Sequence, residues 1–327
     1  MPERAFHQRF PADDWSVDDR CINCNLARQH APGMIGFDRD HGPYGGKSVI
    51  LRQPETDEEV RNLYRAAHAC PTRSVHPPGD EWAVDGDPYP QPLDEDGTVL
   101  LCGHTSLRTF GAMSYLCRRP DGTAMMIDTP KFRPVLPNRF QQAVGTITDV
   151  LLTHVDHVAH GRQWADALDA VDPRRRPGVA AGRRPRDPRL GPGGDRTRRG
   201  RAPVPRPQPG TTLFIADERC CFAGDALFWS ESYRRIDLAD TVVYDSVRTW
   251  ARSVAKGAEE LTFEWVLPGH GPYHRLPAAE MRARLRALAR RAVHFEEPER
   301  DDYGAEVRAG AGVHGRHRHR QRGGAAA

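Results

Sequence analysis

Three segments of this chain share one arrangement, and it constrains the fold more than any other feature of the sequence. The apolar run Asp149-Val-Leu-Leu ends in Thr153-His154-Val-Asp156-His157-Val-Ala-His160. Phe222-Ala-Gly-Asp225-Ala-Leu227 follows the apolar run Cys220-Cys-Phe222, and Val266-Leu-Pro-Gly-His270-Gly271 comes last. Each places an imidazole or carboxylate just beyond a short apolar strand, on a loop at one edge of a sheet. Those donors suit zinc, and also iron or manganese. One histidine after a strand carries little information, but three such segments in this order point to a sheet protein whose loops gather around a metal.

A second donor group precedes them. Cys21-Ile-Asn-Cys24 and the distant Cys70-Pro71 offer three thiolates, soft donors that bind iron, and a C-x-x-C turn lets two converge on one cluster face. The chain has seven cysteines. An odd number argues against a secreted disulfide framework and for reduced thiols or metal ligands, hence for a cytoplasmic location. The N-terminus lacks an apolar signal core and no run of about 18 apolar residues occurs, so neither export by the usual route nor a membrane span is expected.

At 327 residues the chain has room for two domains. The first is expected at 12–78. It holds a strand at Ser48-Val-Ile-Leu51 and a helix over 55–68, acidic in its first turn, with Val60, Leu63, Tyr64 and Ala67 on one face. Residues 79–98, rich in Pro, Asp and Gly, read as a linker. The second domain, 99–295, opens on short strands at 98–102, 113–117, 124–127 and 149–153. A helix follows over 161–170. Strands resume at 211–215, 220–222 and 265–267, with helices at 242–256 and 277–294. Residues 173–206 are nearly all Arg, Pro, Gly and Ala and cannot bury enough apolar surface to order themselves; the tail 304–327 reads the same way. The aliphatic alternation stops at 173 and revives near 209, which is what an out-of-frame reading of a GC-rich gene would produce; a genuine basic insertion is the alternative. The net charge of +3 implies no nucleic-acid partner, and no aromatic interleaves the arginines of the basic stretch.

The spacing around Cys21, Cys24 and Cys70, with ARQHAPGMI after the turn and AAHACPTRSV before the linker, resembles single-cluster ferredoxins. The resemblance implies a cluster held by those three cysteines. The bacterial run has a further cysteine where Ala27 stands. Three thiolates hold a 3Fe-4S cluster, or a 4Fe-4S cluster with a non-cysteine fourth ligand such as His30; a cluster-free module and a zinc site are the alternatives.

The order of the three strand-end segments resembles the metallo-β-lactamase superfamily, above all its glyoxalase II-like and thioester or lactone hydrolase members. Gly122-Thr-Ala-Met-Met-Ile-Asp128-Thr129 is similar to that family's early strand and acidic turn. The resemblance implies an α+β chain, a ferredoxin-like module followed by an αββα sandwich, with zinc or iron held by His154, Asp156, His157, Asp225 and His270. In this reading Asp225 bridges two metals and Asp156 assists catalysis. His157 and His160 stand one place off the family's D-H register, and are either ligands or solvated loop histidines. The family's P-G-H-T-x-G ligand has no counterpart: Pro207 occupies its place. The implied activity is metal-dependent hydrolysis of an ester, thioester or lactone-like small molecule, impaired by the missing ligand. Two other readings are a redox protein of the diiron-oxidoreductase type, served by a redox partner, and a non-catalytic relic.

Overall fold

The donor-bearing loops hang from two sheets packed face to face, and a small module closes one end of them. The computed structural model describes residues 13–38, 46–80, 87–170, 212–231, 233–238 and 247–292. The stretch 173–206, Pro207 and the tail 304–327 lie outside those residues.

The N-terminal module runs β1 (Ser16–Val17), α1 (Leu26–His30), β2 (Ile35–Asp38), β3 (Lys47–Ile50), α2 (Asp57–Ala69) and β4 (Val75–His76). β1 pairs with β4 and β2 with β3, both antiparallel. Helix α2 starts two residues later than the acidic run predicts, because Thr56 caps it: its side chain accepts from the Glu59 N–H at 3.3 Å. Leu63, Ala66 and Ala67 of α2 join Trp15, Val17, Cys21, Ala27, Met34 and Ile35 in one core. Ala27 is therefore an apolar wall of that core.

Then follow β5 (Gln91–Pro92), β6 (Val99–Leu101), β7 (Tyr115–Arg118), β8 (Ala124–Ile127), α3 (Leu136–Val144), β9 (Ile147–Leu151) and α4 (Gly161–Leu168). Beyond residue 211 come β10 (Phe214–Ala216), β11 (Cys220–Gly224), β12 (Phe228–Ser230), β13 (Arg235–Asp237), α5 (Val247–Glu260), β14 (Trp265–Pro268), β15 (His274–Arg275) and α6 (Ala278–Ala292). One sheet has the order β5-β6-β7-β8-β9 and the other β10-β11-β14-β15; β8–β9 and β11–β14 are parallel, and the remaining pairs in both sheets are antiparallel.

Strand alternation sorts the side chains into layers. Val99, Leu101, Tyr115, Cys117 and Ile127 of the first sheet meet Phe214, Cys220, Phe222 and Leu267 of the second. The opposite face of the first sheet, Leu100, Leu116 and Met126, buries against Leu136 and Phe140 of α3 and Trp164 and Leu168 of α4. The opposite face of the second, Cys221, Ala223 and Val266, buries against Trp250 and Val254 of α5 and Met281, Leu285 and Leu288 of α6. The order helix, sheet, sheet, helix is an αββα sandwich, and the chain is α+β.

Other elements also differ from the sequence expectation. Gln91–Pro92, within the predicted linker 79–98, pairs with Leu100–Leu101 as an edge strand, the position in which a sheet tolerates proline. Helix α3 has no counterpart among the expected helices. Its Pro137 reads as a breaker, yet it sits in the first turn, where proline fits.

The module packs onto the sandwich. Leu26 and Ala69 belong to the core between the sheets, and Thr105 Oγ1 donates to the Ala69 carbonyl at 2.5 Å. Gly111 has φ +88°, and a Cβ there would stand 3.3 Å from Cys24 Sγ. A glycine thus lets the sandwich backbone touch the cysteine group.

Candidate metal centre

Four strands point their C-terminal ends at one place, the edge where open sheets with parallel strands bind ligands. Asp128 follows β8, Thr153 and His154 follow β9, Asp225 follows β11, and His270 follows β14. The β9 loop closes as a single 3-10 turn, Val155–His157, in which the Asp156 N–H donates to His154 Nδ1 at 3.3 Å. That turn swings the ring of His157 inward.

The ligand atoms of His154, His157 and Asp225 all lie within 4.8 Å of one another. Asp225 Oδ1 stands 2.8 Å from His270 Nδ1 and 3.5 Å from His157 Nε2, so its carboxylate sits between two imidazoles. His157 is wholly buried, which rules out its being a solvated loop residue. Gly269 has no room for a side chain: a Cβ would meet His157 Cε1 at 2.4 Å and Asp225 Oδ1 at 2.9 Å. The Pro-Gly-His sequence is a spatial requirement here, because the backbone itself walls the site.

Asp128 fixes the orientation of His157. Its carboxylate accepts from the Thr153 N–H at 2.8 Å, the Thr153 hydroxyl at 2.5 Å and His157 Nδ1–H at 3.0 Å. With Nδ1 committed, Nε2 faces Asp225. Burial by itself would push the His157 pKa down, but the carboxylates of Asp128 and Asp225 outweigh it and hold it well above the ordinary histidine value. Burial would likewise push Asp225 up, and His270 and His157 instead hold it well below the carboxylate range. His154 is lowered, by burial first, with Asp225 opposing. Asp128 and Asp225 thus flank the His157 imidazole, one at each ring nitrogen.

The donor set fits a metal. His157 Nε2 and His270 Nε2 are buried with no hydrogen-bond partner among the described residues, and an unpartnered buried polar atom costs about 1–3 kcal/mol. A cation accepting those lone pairs removes that cost, and imidazole with carboxylate is the donor chemistry of zinc and iron. Asp156 stands apart from this cluster. Its carboxylate is 40% exposed, with Oδ2 3.6 Å from His154 Nδ1, so it lies on the rim. His160 also lies outside the cluster: Nδ1–H donates to Gln163 Oε1 at 3.0 Å, and Nε2 accepts from the Ser106 hydroxyl at 2.9 Å.

In the N-terminal module, backbone N–H groups address the thiols. Asn23 and Ser48 donate to Cys21 Sγ at 3.4 Å each, and Ser74 donates to Cys70 Sγ at 3.2 Å. Burial pushes Cys24 up to about 12, with Cys70 and Cys21 adding to it. Buried, mutually repelling sulfurs that receive N–H donors suit a positively charged iron core, which would deprotonate them. His30 is turned elsewhere: its Nε2–H donates to the Tyr89 hydroxyl at 3.3 Å. Burial lowers its pKa to about 4, with Arg65 contributing.

Residues 17–77 match the family model described as the 4Fe-4S single cluster domain of Ferredoxin I. Residues 17–77 are a ferredoxin-like domain. No curated protein matches this sequence. Solved structures similar to the chain include the B3 metallo-β-lactamase BLEG-1, at 18% identity, covering 51% of this chain and 90% of that one, with a TM-score of 0.35. The metallo-β-lactamase DIM-1 matches at 16% identity over 61% of this chain and 95% of that one, TM-score 0.38. The chemotaxis sensor ODP, solved as a peroxy diiron species, matches at 15% identity over 66% of this chain and 98% of that one, TM-score 0.36. The layers after the ferredoxin-like domain form an αββα sandwich with the donors at the strand ends.

Proposed function

We propose that this chain is a metal-dependent hydrolase of an ester, thioester or lactone-like small molecule, with an iron–sulfur cluster in its N-terminal domain. The convergence of His154, His157, Asp225 and His270 at the ends of three strands, β9, β11 and β14, with two imidazole nitrogens buried and without a hydrogen-bond partner among the described residues, carries this reading. Zinc or iron bound there supplies Lewis-acid activation of water and of a substrate carbonyl.

The chain's own residues do the rest. Asp128 holds the proton on His157 Nδ1 and thereby keeps Nε2 as the donor atom. Gly269 excludes side chains from the wall behind Asp225. Asp156, on the open rim beside His154, would take up at Oδ2 the proton released by the attacking water and pass it to a departing alkoxide or thiolate. Cys21, Cys24 and Cys70 hold the cluster, as 3Fe-4S or as 4Fe-4S with a non-cysteine fourth ligand.

One observation supports a second reading, electron transfer to a diiron site. Cys24 abuts Gly111, and two residues on, the Met113 N–H donates to the Gly269 carbonyl at 2.7 Å, next to His270. The test is anaerobic purification, metal analysis, an absorbance spectrum and assay against ester, thioester and lactone substrates. Hydrolysis lost in His154→Ala and Asp225→Asn supports the proposal. Asp156→Asn should lower kcat while leaving site metal in place. Site iron that bleaches together with the cluster, without hydrolysis, replaces the proposal with the second reading. No metal beyond the cluster leaves a relic.

A further inference from the structure

A second set of metal-type donors lies at the junction between the two domains and shares no residue with the centre described above. His68 is in the last turn of α2, Asp87 precedes β5, and His104 follows β6. These segments are distant in sequence and belong to both sides of the junction. Their side chains are 8%, 9% and 4% exposed. One ligand atom from each lies within 4.8 Å of the others. His104 Nε2 is 3.1 Å from Asp87 Oδ2, and His68 Nδ1 is 3.8 Å from Asp87 Oδ1. A tetrahedral zinc with bonds near 2.0–2.1 Å holds its donors roughly 3.4 Å apart, and each imidazole stands close to that distance from its own oxygen of Asp87. We propose that His68, Asp87 and His104 form a binding site for a divalent transition-metal ion of the zinc type, tying the ferredoxin-like domain to the sandwich.

The surroundings support a built site. His104 has φ +46°, a left-handed conformation that a histidine adopts at a cost, and its carbonyl accepts from the Lys131 N–H at 2.7 Å. That backbone turns the ring toward His68, and the two rings meet edge to face with centroids 5.8 Å apart. Tyr89 flanks His104 on another side at 5.9 Å, and its N–H donates to Asp87 Oδ1 at 3.2 Å. Two imidazoles and one carboxylate, with a fourth position for water or an exogenous ligand, form an established zinc donor set.

The competing account is an ion-pair cluster alone. The Arg139 guanidinium contacts Asp87 Oδ2, and it neutralises the carboxylate without any metal. The two accounts differ in what Arg139 does. If Asp87 is a ligand, Arg139 is an outer partner that orients it. If not, Arg139 is the only cation the cluster needs.

The experiment uses the full chain carrying Asp225→Asn and His270→Gln, which disable the sandwich centre. Zinc titration against a chelating dye, with iron counted separately, should show one zinc site in this background. Adding His104→Gln or His68→Gln should abolish it, while Arg139→Gln should retain a site weakened up to about 100-fold. A background protein that binds no zinc overturns the proposal, as does unchanged binding after both histidine substitutions. Where a histidine variant fails to fold, hydrogen exchange on the background protein reads the site directly. Zinc should slow exchange at 66–69 and 103–105, and no change there overturns the proposal.

Discussion

Asp128 decides what His157 can do. It receives three hydrogen bonds, and one of them fixes the His157 tautomer. Asp128→Asn keeps the shape but removes the charge, and should lower site metal affinity about 10–100-fold, measured by chelator competition. Unchanged affinity would show that His157 needs no orienting carboxylate. His154, Asp225 and His270 were legible in the sequence because each follows an apolar strand within a recognisable motif. Asp128 was visible only as an acidic turn. A residue that acts by orienting another has no spacing of its own, and its partner Thr153 is 25 residues away. A second single-residue effect lies in the ferredoxin-like domain. Burial would raise the Asp18 pKa, but hydrogen bonds from His76 at 2.8 Å and from Arg20 outweigh it and hold it below the ordinary value. A depressed acid contributes stability above its unfolded pKa of about 3.9 and loses it as pH falls through the folded value. Exchange protection of β1 and β4 should therefore fall in acid below about pH 4. Asp18→Asn should cost on the order of 2 kcal/mol at neutral pH and remove the acid dependence that Asp18 supplies. Protection insensitive to this substitution would remove the pair from the stability of β1 and β4.

At the scale of elements, the outer layer over the first sheet hangs on Trp164. Its ring stacks on Phe140 at 5.4 Å with an interplanar angle of 2°, and its Nε1–H donates to the Pro130 carbonyl at 2.8 Å. Trp164→Ala should cost about 3–5 kcal/mol, read by chemical denaturation. Protection should be lost across α3 and α4 before the α5–α6 layer responds, because those helices bury on the other sheet. Simultaneous loss in both helical layers would show that the sheets transmit the defect. Helix α4 was legible because Trp164 and Leu168 fall one turn apart. Helix α3 had the same signal in Leu136, Phe140 and Val144, all buried. Pro137 masked it, since proline starts a helix as readily as it ends one. β12 and β13 were not legible for a different reason. Phe228–Ser230 and Arg235–Asp237 are three residues each, too short for alternation to stand out from chance.

At the scale of the whole molecule, the two domains meet through a shared core as well as a linker. Leu26, at the start of α1, is 2% exposed and belongs to the same apolar cluster as Leu101, Tyr115 and Phe222 between the sheets. That cluster therefore closes only when the ferredoxin-like domain is docked. A contact of this kind is hidden in sequence, where Leu26 reads as one residue of a cysteine loop and Leu101, Tyr115 and Phe222 lie 75 or more positions away. Leu26→Ala should cost about 3 kcal/mol by opening a cavity at the junction. Because the cavity belongs to both cores, the loss should appear in both domains at once. Hydrogen exchange would then accelerate along α2 and along β7 and β11 together, and the domains would unfold in one transition. If only α2 loses protection while β7 and β11 keep theirs, the sandwich closes without its neighbour. The contact between Cys24 and Gly111 would then be a surface apposition, and a cluster bound to Cys24 would have no rigid route to the strand ends that carry Asp225 and His270.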